Sequence, residues 1–146
     1  MANEVDKSKA SAVNRDLKAL TDVVQHIAPA AYTSTQTPAN GVDLAGWNSA
    51  VVEVNVGVVT AAGFSFEVQH SEDDGAEDAY AAIADADLDG TEPTLGGAGA
   101  GGQIYRLGII RSKRFVRVVA TDAGAGDAVF GVNVLRANER HKGTQP

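Results

Sequence analysis

The stretch Ser49-Ala-Val-Val-Glu-Val-Asn-Val-Gly-Val-Val59 decides the fold class. Val52, Val54 and Val56 alternate with Glu53, Asn55 and Gly57. A period of two puts the three valines on one face of a half-buried antiparallel strand. Phe64, Phe66 and Val68 alternate in the same way against Ser65, Glu67 and Gln69. The short link at 60–63 predicts a hairpin that sets these two strands side by side. Further strands are expected over a Thr-rich segment at 32–37 closed by Pro38, and over 80–83, 103–110, 114–121 and 128–136, with Phe130, Val132 and Val134 facing the core. About seven short strands with no helices between them predict a mainly β chain, an antiparallel β-sandwich or jelly-roll-like domain.

Upstream the period changes. Val13, Leu17, Leu20, Val24 and Ile27 recur at steps of four, three, four and three, the spacing of one stripe on an α-helix. This predicts a helix over 8–28, ended by Pro29, which has no N–H to continue the ladder. The expected organisation is an N-terminal helical arm at 1–30, a β-sandwich at 31–138 and a C-terminal tail at 139–146. The stripe is short for an isolated coiled coil, so docking on its own domain or on a partner is expected.

With 146 residues the chain fits one core. It has no cysteine, which excludes disulfides, thiolate metal sites and cysteine nucleophiles. No apolar run approaches the roughly 18 residues of a membrane span, and the first ten residues are too polar for a signal peptide, so synthesis in the cytoplasm is expected, with no membrane partner. A net charge of -7 argues against general nucleic-acid binding. The charge is unevenly spread: residues 67–92 hold ten carboxylates and no Lys or Arg, whereas eight basic residues against three acidic ones follow from Arg106 onward. Such a dipolar chain can steer the association of subunits, and two solvated faces of one domain are the simpler alternative.

Three motifs resemble chemistry and are incomplete. Asp85-Ala-Asp87-Leu-Asp89-Gly90 matches the first half of a calcium loop, but Gly96 stands where the bidentate Glu belongs and Pro93 interrupts it. A strand end running into a turn, with Leu88 inward, is expected instead. The glycine-rich 96–102 lacks the following Gly-Lys-Ser/Thr of a phosphate loop and precedes a strand, so a flexible loop is expected. The acidic run at 71–78 reads as a solvated loop. His26, His70 and His141 show no metal spacing, and no Gly-x-Ser-x-Gly elbow is present. No catalytic, cofactor or metal residue is therefore assigned, and neither an enzyme nor a small-molecule substrate is expected.

A resemblance enters on three ordered strings: Ile27-Ala-Pro-Ala-Ala-Tyr-Thr33, Val42-Asp-Leu-Ala-Gly-Trp-Asn-Ser-Ala-Val-Val-Glu-Val-Asn-Val-Gly57, and Phe66-Glu-Val-Gln-His-Ser-Glu-Asp-Asp-Gly75. With Ala84-Asp-Ala-Asp-Leu-Asp-Gly90, 105–119 and 136–141, they make the chain similar to small tailed-phage and prophage virion proteins over about 27–141. The resemblance implies a capsid decoration or cement protein on the head surface. Its partner would be the major capsid protein, and it would bind as a homo-oligomer, a dimer or trimer. A tail- or fibre-associated adhesion module is the alternative. The family offers no catalytic residues, and this chain departs from it in a longer charged stretch before Ile27. The expected partner contacts are Val13, Leu17, Leu20, Val24 and Ile27 on the helix, with Arg111, Lys113 and Arg114 from the basic cluster.

Overall fold

Residues 16–140 are described by the computed structural model. They form two antiparallel sheets packed face to face. In chain order the elements are a single helical turn α1 (Leu17–Leu20), then β1 (Thr21–Tyr32), β2 (Val42–Asp43), β3 (Trp47–Ala61), β4 (Phe64–Ser71), β5 (Ala81–Ala82), β6 (Leu88–Asp89), β7 (Ile104–Ile109), β8 (Phe115–Asp122) and β9 (Asp127–Glu139). One sheet has the order β1-β9-β3-β7-β6 and the other β2-β8-β4-β5.

The alternation read from the sequence is the alternation of burial. Val52, Val54, Val56, Phe64, Phe66, Val68, Phe130, Val132 and Val134 are all buried, and Leu88 turns inward as expected. Phe130 sits at the centre of an aromatic cluster, its ring centroid 4.8 Å from Tyr32 and 5.0 Å from each of Phe64 and Phe66. Such tilted and edge-on contacts add to the burial of apolar area that holds the two layers together.

Several expectations are corrected. The link between β3 and β4 is not a hairpin: the two strands lie in opposite sheets, and the chain turns a corner between them. At that corner Gly63 (φ +154°) leaves no room for a side chain, because a Cβ there would come within 2.8 Å of Gly126 on the β8–β9 corner. The Thr-rich segment forms only one bridge, Gln36 to Ala120, as it passes from one sheet to the other. The acidic run is the solvated loop expected, and its own bonds order it: the Asp73 carboxylate accepts the amides of Ala76, Glu77 and Asp78, and Asp74 accepts the Tyr80 hydroxyl and the Gly41 amide. These amide donors hold Asp73 below the usual carboxylate range. The glycine-rich loop is also tied down, with Gly102 N donating to Gly57 O and Val56 N to Gln103 O, 2.9 Å each.

The largest correction concerns the expected helix. Within the described residues it is one turn, capped by Asp16, whose Oδ1 accepts the Ala19 amide at 3.2 Å. Residues 21–32, expected to be mostly helix, are strand β1 along β9. The arm is therefore part of the sandwich from Thr21 onward. The last step of the helical spacing, Val24 to Ile27, is imitated by the first of two bulges. Val24, Ile27 and Ala30 lie opposite Val134, Val132 and Phe130, so three residues of β1 cover each two of β9. An extra residue per bulge converts a period of two into steps of three. Pro29 occupies the second bulge of this edge strand, where a missing N–H costs least. It packs so closely on Gly131 that a Cβ there would lie 3.0 Å from it.

The residue extruded by the first bulge, His26, fastens β1 to the opposite sheet. Its Nε2 accepts the Val118 amide of β8 at 2.9 Å. Burial pushes its pKa down from 6.5 to about 4, and nearby Arg117 acts in the same direction. The folded pKa lies below the unfolded one, so this contribution is complete above pH 6.5 and is lost as pH falls through about 4. Stability is expected to drop by about 2–3 kcal/mol across that window. His26→Gln, which keeps an acceptor without titrating, should flatten the window in urea titrations, whereas an unchanged slope would contradict this role.

Candidate functional site

The end of the sandwich where β2, β7 and β9 finish and β3 and β8 begin carries a groove of about 490 Å³. Its floor includes Leu44 and Trp47, and its rim carries Ile110, Arg111, Lys113, Arg114 and Arg140.

Backbone bonds fix both walls. In the β2–β3 turn, Asp43 Oδ1 accepts the Ala45 amide at 2.9 Å and Trp47 N donates to Leu44 O at 3.0 Å. In the β7–β8 turn, the amides of Ile110 and Arg111 both donate to Asp87 O, at 2.8 and 3.3 Å. His70 Nδ1 accepts the Lys113 amide at 3.2 Å. Leu44 N donates to Arg114 O at 2.8 Å and joins the two walls. Behind the floor, Arg136 stacks over the Trp47 ring at 5.0 Å, pairs with Asp22 of β1 and donates to Asp43 O at 2.8 Å, so it closes the core between the two sheets.

The cations fall into two classes. Arg114 makes two bonds to the Asp43 carboxylate, 2.9 and 2.8 Å, and Lys113 Nζ lies 2.7 Å from Asp78 Oδ2. These pairs hold Asp43 and Asp78 below the usual carboxylate range, chiefly through the hydrogen bonds from Arg114 and Lys113, and raise their basic partners. Arg111 and Arg140 are more open. The Arg111 side chain is 81% exposed and approaches Asp87 through Nε at 3.2 Å. Arg140 Nε donates to the neutral Asn48 at 2.9 Å, and Arg140 pairs with no carboxylate among the described residues. Among the described residues no Asp or Glu lines the groove.

Of the residues expected to contact a partner, the structure brings Arg111, Lys113 and Arg114 to this rim. Leu17 and Leu20, 66% and 47% exposed, lie at the same end, because α1 leads into β1 where Thr21 pairs with Ala137 near the end of β9. Val23, outward-facing on β1, is also exposed. Val24 and Ile27 are corrected: Ile27 belongs to the buried core and Val24 packs against it, so neither offers a contact surface. Val13 lies outside the described residues, as do His141 and the rest of the tail beyond residue 140.

Trp47 and Arg140 were missed as site residues, since they meet only through the pairing of Trp47 with Glu139. Arg117, three residues beyond Arg114 in β8, sits elsewhere, 4.1 Å over the Tyr80 ring. Asp87 is engaged by Arg111, and Leu88 and Asp89 continue as β6. Among the described residues no group of three or more His, Asp or Glu side chains is placed to hold a metal ion. Glu92, raised by burial, accepts the Val68 amide at 2.7 Å and so extends the edge of β4.

Fold and site together define a small two-sheet β protein with a rigid, cation-rimmed end bordered by exposed apolar side chains. No family model, curated protein or solved structure matches the chain.

Proposed function

We propose that the chain is a non-catalytic structural protein of a tailed-phage virion, a decoration or cement protein that binds the major capsid protein and stabilises the head. The observation that carries this reading is that Leu17, Leu20 and Ile110, all exposed, lie at the end of the sandwich that also presents Arg111 and Arg140. Exposed apolar side chains grouped beside open arginines favour docking on protein, since apolar area supplies affinity and charge supplies orientation. The virion setting rests on the sequence resemblance, and the sandwich is an architecture that suits it. Assembly as a dimer or trimer on the outer head surface belongs to the same reading, with synthesis in the host cytoplasm before assembly. Its partners on this reading are proteins, with no nucleic acid, membrane or small-molecule substrate.

The test is a heat challenge of purified heads. Heads lacking this protein should release their DNA at a lower temperature than complete heads, and adding the purified protein back should restore the difference. Equal tolerance with and without it would remove the cementing role.

A further inference from the structure

We propose that the groove between the β2–β3 and β7–β8 turns receives an acidic peptide segment of a protein partner, its carboxylates on Arg111 and Arg140 and its apolar groups against Trp47 and Ile110. The inference rests on the docking reading above and deepens it by naming the chemistry of what docks.

Four cations rim the groove, and their division of labour gives the reason. Lys113 and Arg114 are spent on Asp78 and Asp43 and hold the walls in place. Among the described residues Arg111, 81% exposed and paired with Asp87, and Arg140, bonded to the amide oxygen of Asn48 and to no carboxylate, keep guanidinium donors for a ligand. A guanidinium with free donors binds carboxylate through paired charge-assisted hydrogen bonds. Among the described residues no carboxylate lines the groove, in a chain whose net charge is -7. The two open guanidiniums thus offer positive charge on an otherwise acidic chain, which favours an acidic ligand.

Size and floor narrow the ligand. A volume near 490 Å³ falls in the range of about 300–1,000 Å³ that holds several groups rather than one ion. Trp47 and the 58% exposed Ile110 add apolar area that a lone anion would not use. Nucleic acid would bring a long run of phosphates past the acidic turn at 71–78, which carries Glu72, Asp73, Asp74, Glu77 and Asp78 and reaches the groove wall through Lys113. A peptide with few, spaced carboxylates avoids that repulsion.

Backbone-amide NMR titration of the full chain with a capped hexaglutamate peptide tests this, with hexalysine and oligothymidine as comparisons. Shifts are expected at Trp47, Ile110, Arg111, Ser112 and Arg140, and they should fade as salt rises from about 50 to about 500 mM. The double variant Arg111→Gln, Arg140→Gln should bind at least about tenfold more weakly with an unchanged thermal midpoint. Shifts scattered over the surface, no shifts up to about 5 mM peptide, or stronger groove shifts with oligothymidine would each overturn the proposal. Since the titration uses isolated protein, its failure is separable from failure of the head-binding reading. Heads bound equally well by the double variant would sink the groove and leave the cementing role standing.

Discussion

Deleting residues 1–30 is expected to abolish folding of the remaining chain. A detachable helical arm would tolerate this loss, but the structure makes the segment an edge strand of the five-stranded sheet. Ile27 is 5% exposed and Val24 packs against the same core, and burying each such side chain contributes about 1.5–3 kcal/mol. The deletion also removes the His26 bond to Val118 and the Asp22 carboxylate that pairs with Arg136, and it uncovers the edge of β9 beside Phe130 and Val132. The sum approaches the whole stability of a small domain, about 5–15 kcal/mol. Circular dichroism should show loss of the sheet signal and of cooperative melting. A truncated chain that still melts cooperatively would return β1 to the status of an arm.

Phe130→Ala is expected to cost about 3–5 kcal/mol. Phe130 is 1% exposed and three aromatic rings converge on it, Phe64 and Phe66 from the opposite sheet and Tyr32 from the end of β1. Removing the ring leaves a cavity between layers whose backbones are fixed by antiparallel ladders and which cannot collapse to fill it. Phe130→Leu, which keeps most of the volume, should cost about 1.5 kcal/mol or less. Urea denaturation of both variants measures the difference. Equal losses would mean that the aromatic centre is not where the two sheets are joined.

The layers of this fold were legible because side-chain alternation reports directly which face of a strand is buried. Val52 to Val56, Phe64 to Val68 and Phe130 to Val134 are all inward as their period requires. Strand partnership was not legible. A two-residue link between β3 and β4 permits a hairpin or a corner equally, and the close packing of Gly63 against Gly126 belongs to the corner. The N-terminal misreading has a sharper cause. The bulge between Gln25 and Ile27 sets the inward side chains of Val24 and Ile27 three residues apart, a step that a strand and a helix share. Proline at position 29 was compatible with both readings, as a helix stop or as a bulge residue on a sheet edge.

The candidate site was half legible for a related reason. Arg111, Lys113 and Arg114 are contiguous in sequence, and so stand out as a cluster. Their carboxylate partners Asp87, Asp78 and Asp43 are distant in sequence, which is why the cluster reads as freer than it is. The net basic excess of the C-terminal third is largely consumed within the fold, and the acidic middle segment supplies two of the three partners. What remains open, Arg111 and Arg140, is set by strand register and not by local composition.

Copy number and position in purified particles bear most directly on the central claim that this sandwich uses its cation-rimmed end to dock on capsid protein. A cryo-electron microscopy reconstruction of heads from a phage encoding the chain should place one copy or oligomer over each equivalent junction of capsid subunits, with Arg111, Arg140 and Leu20 turned toward the shell. Density restricted to the tail, or a decorated head in which that end points to solvent, would contradict it.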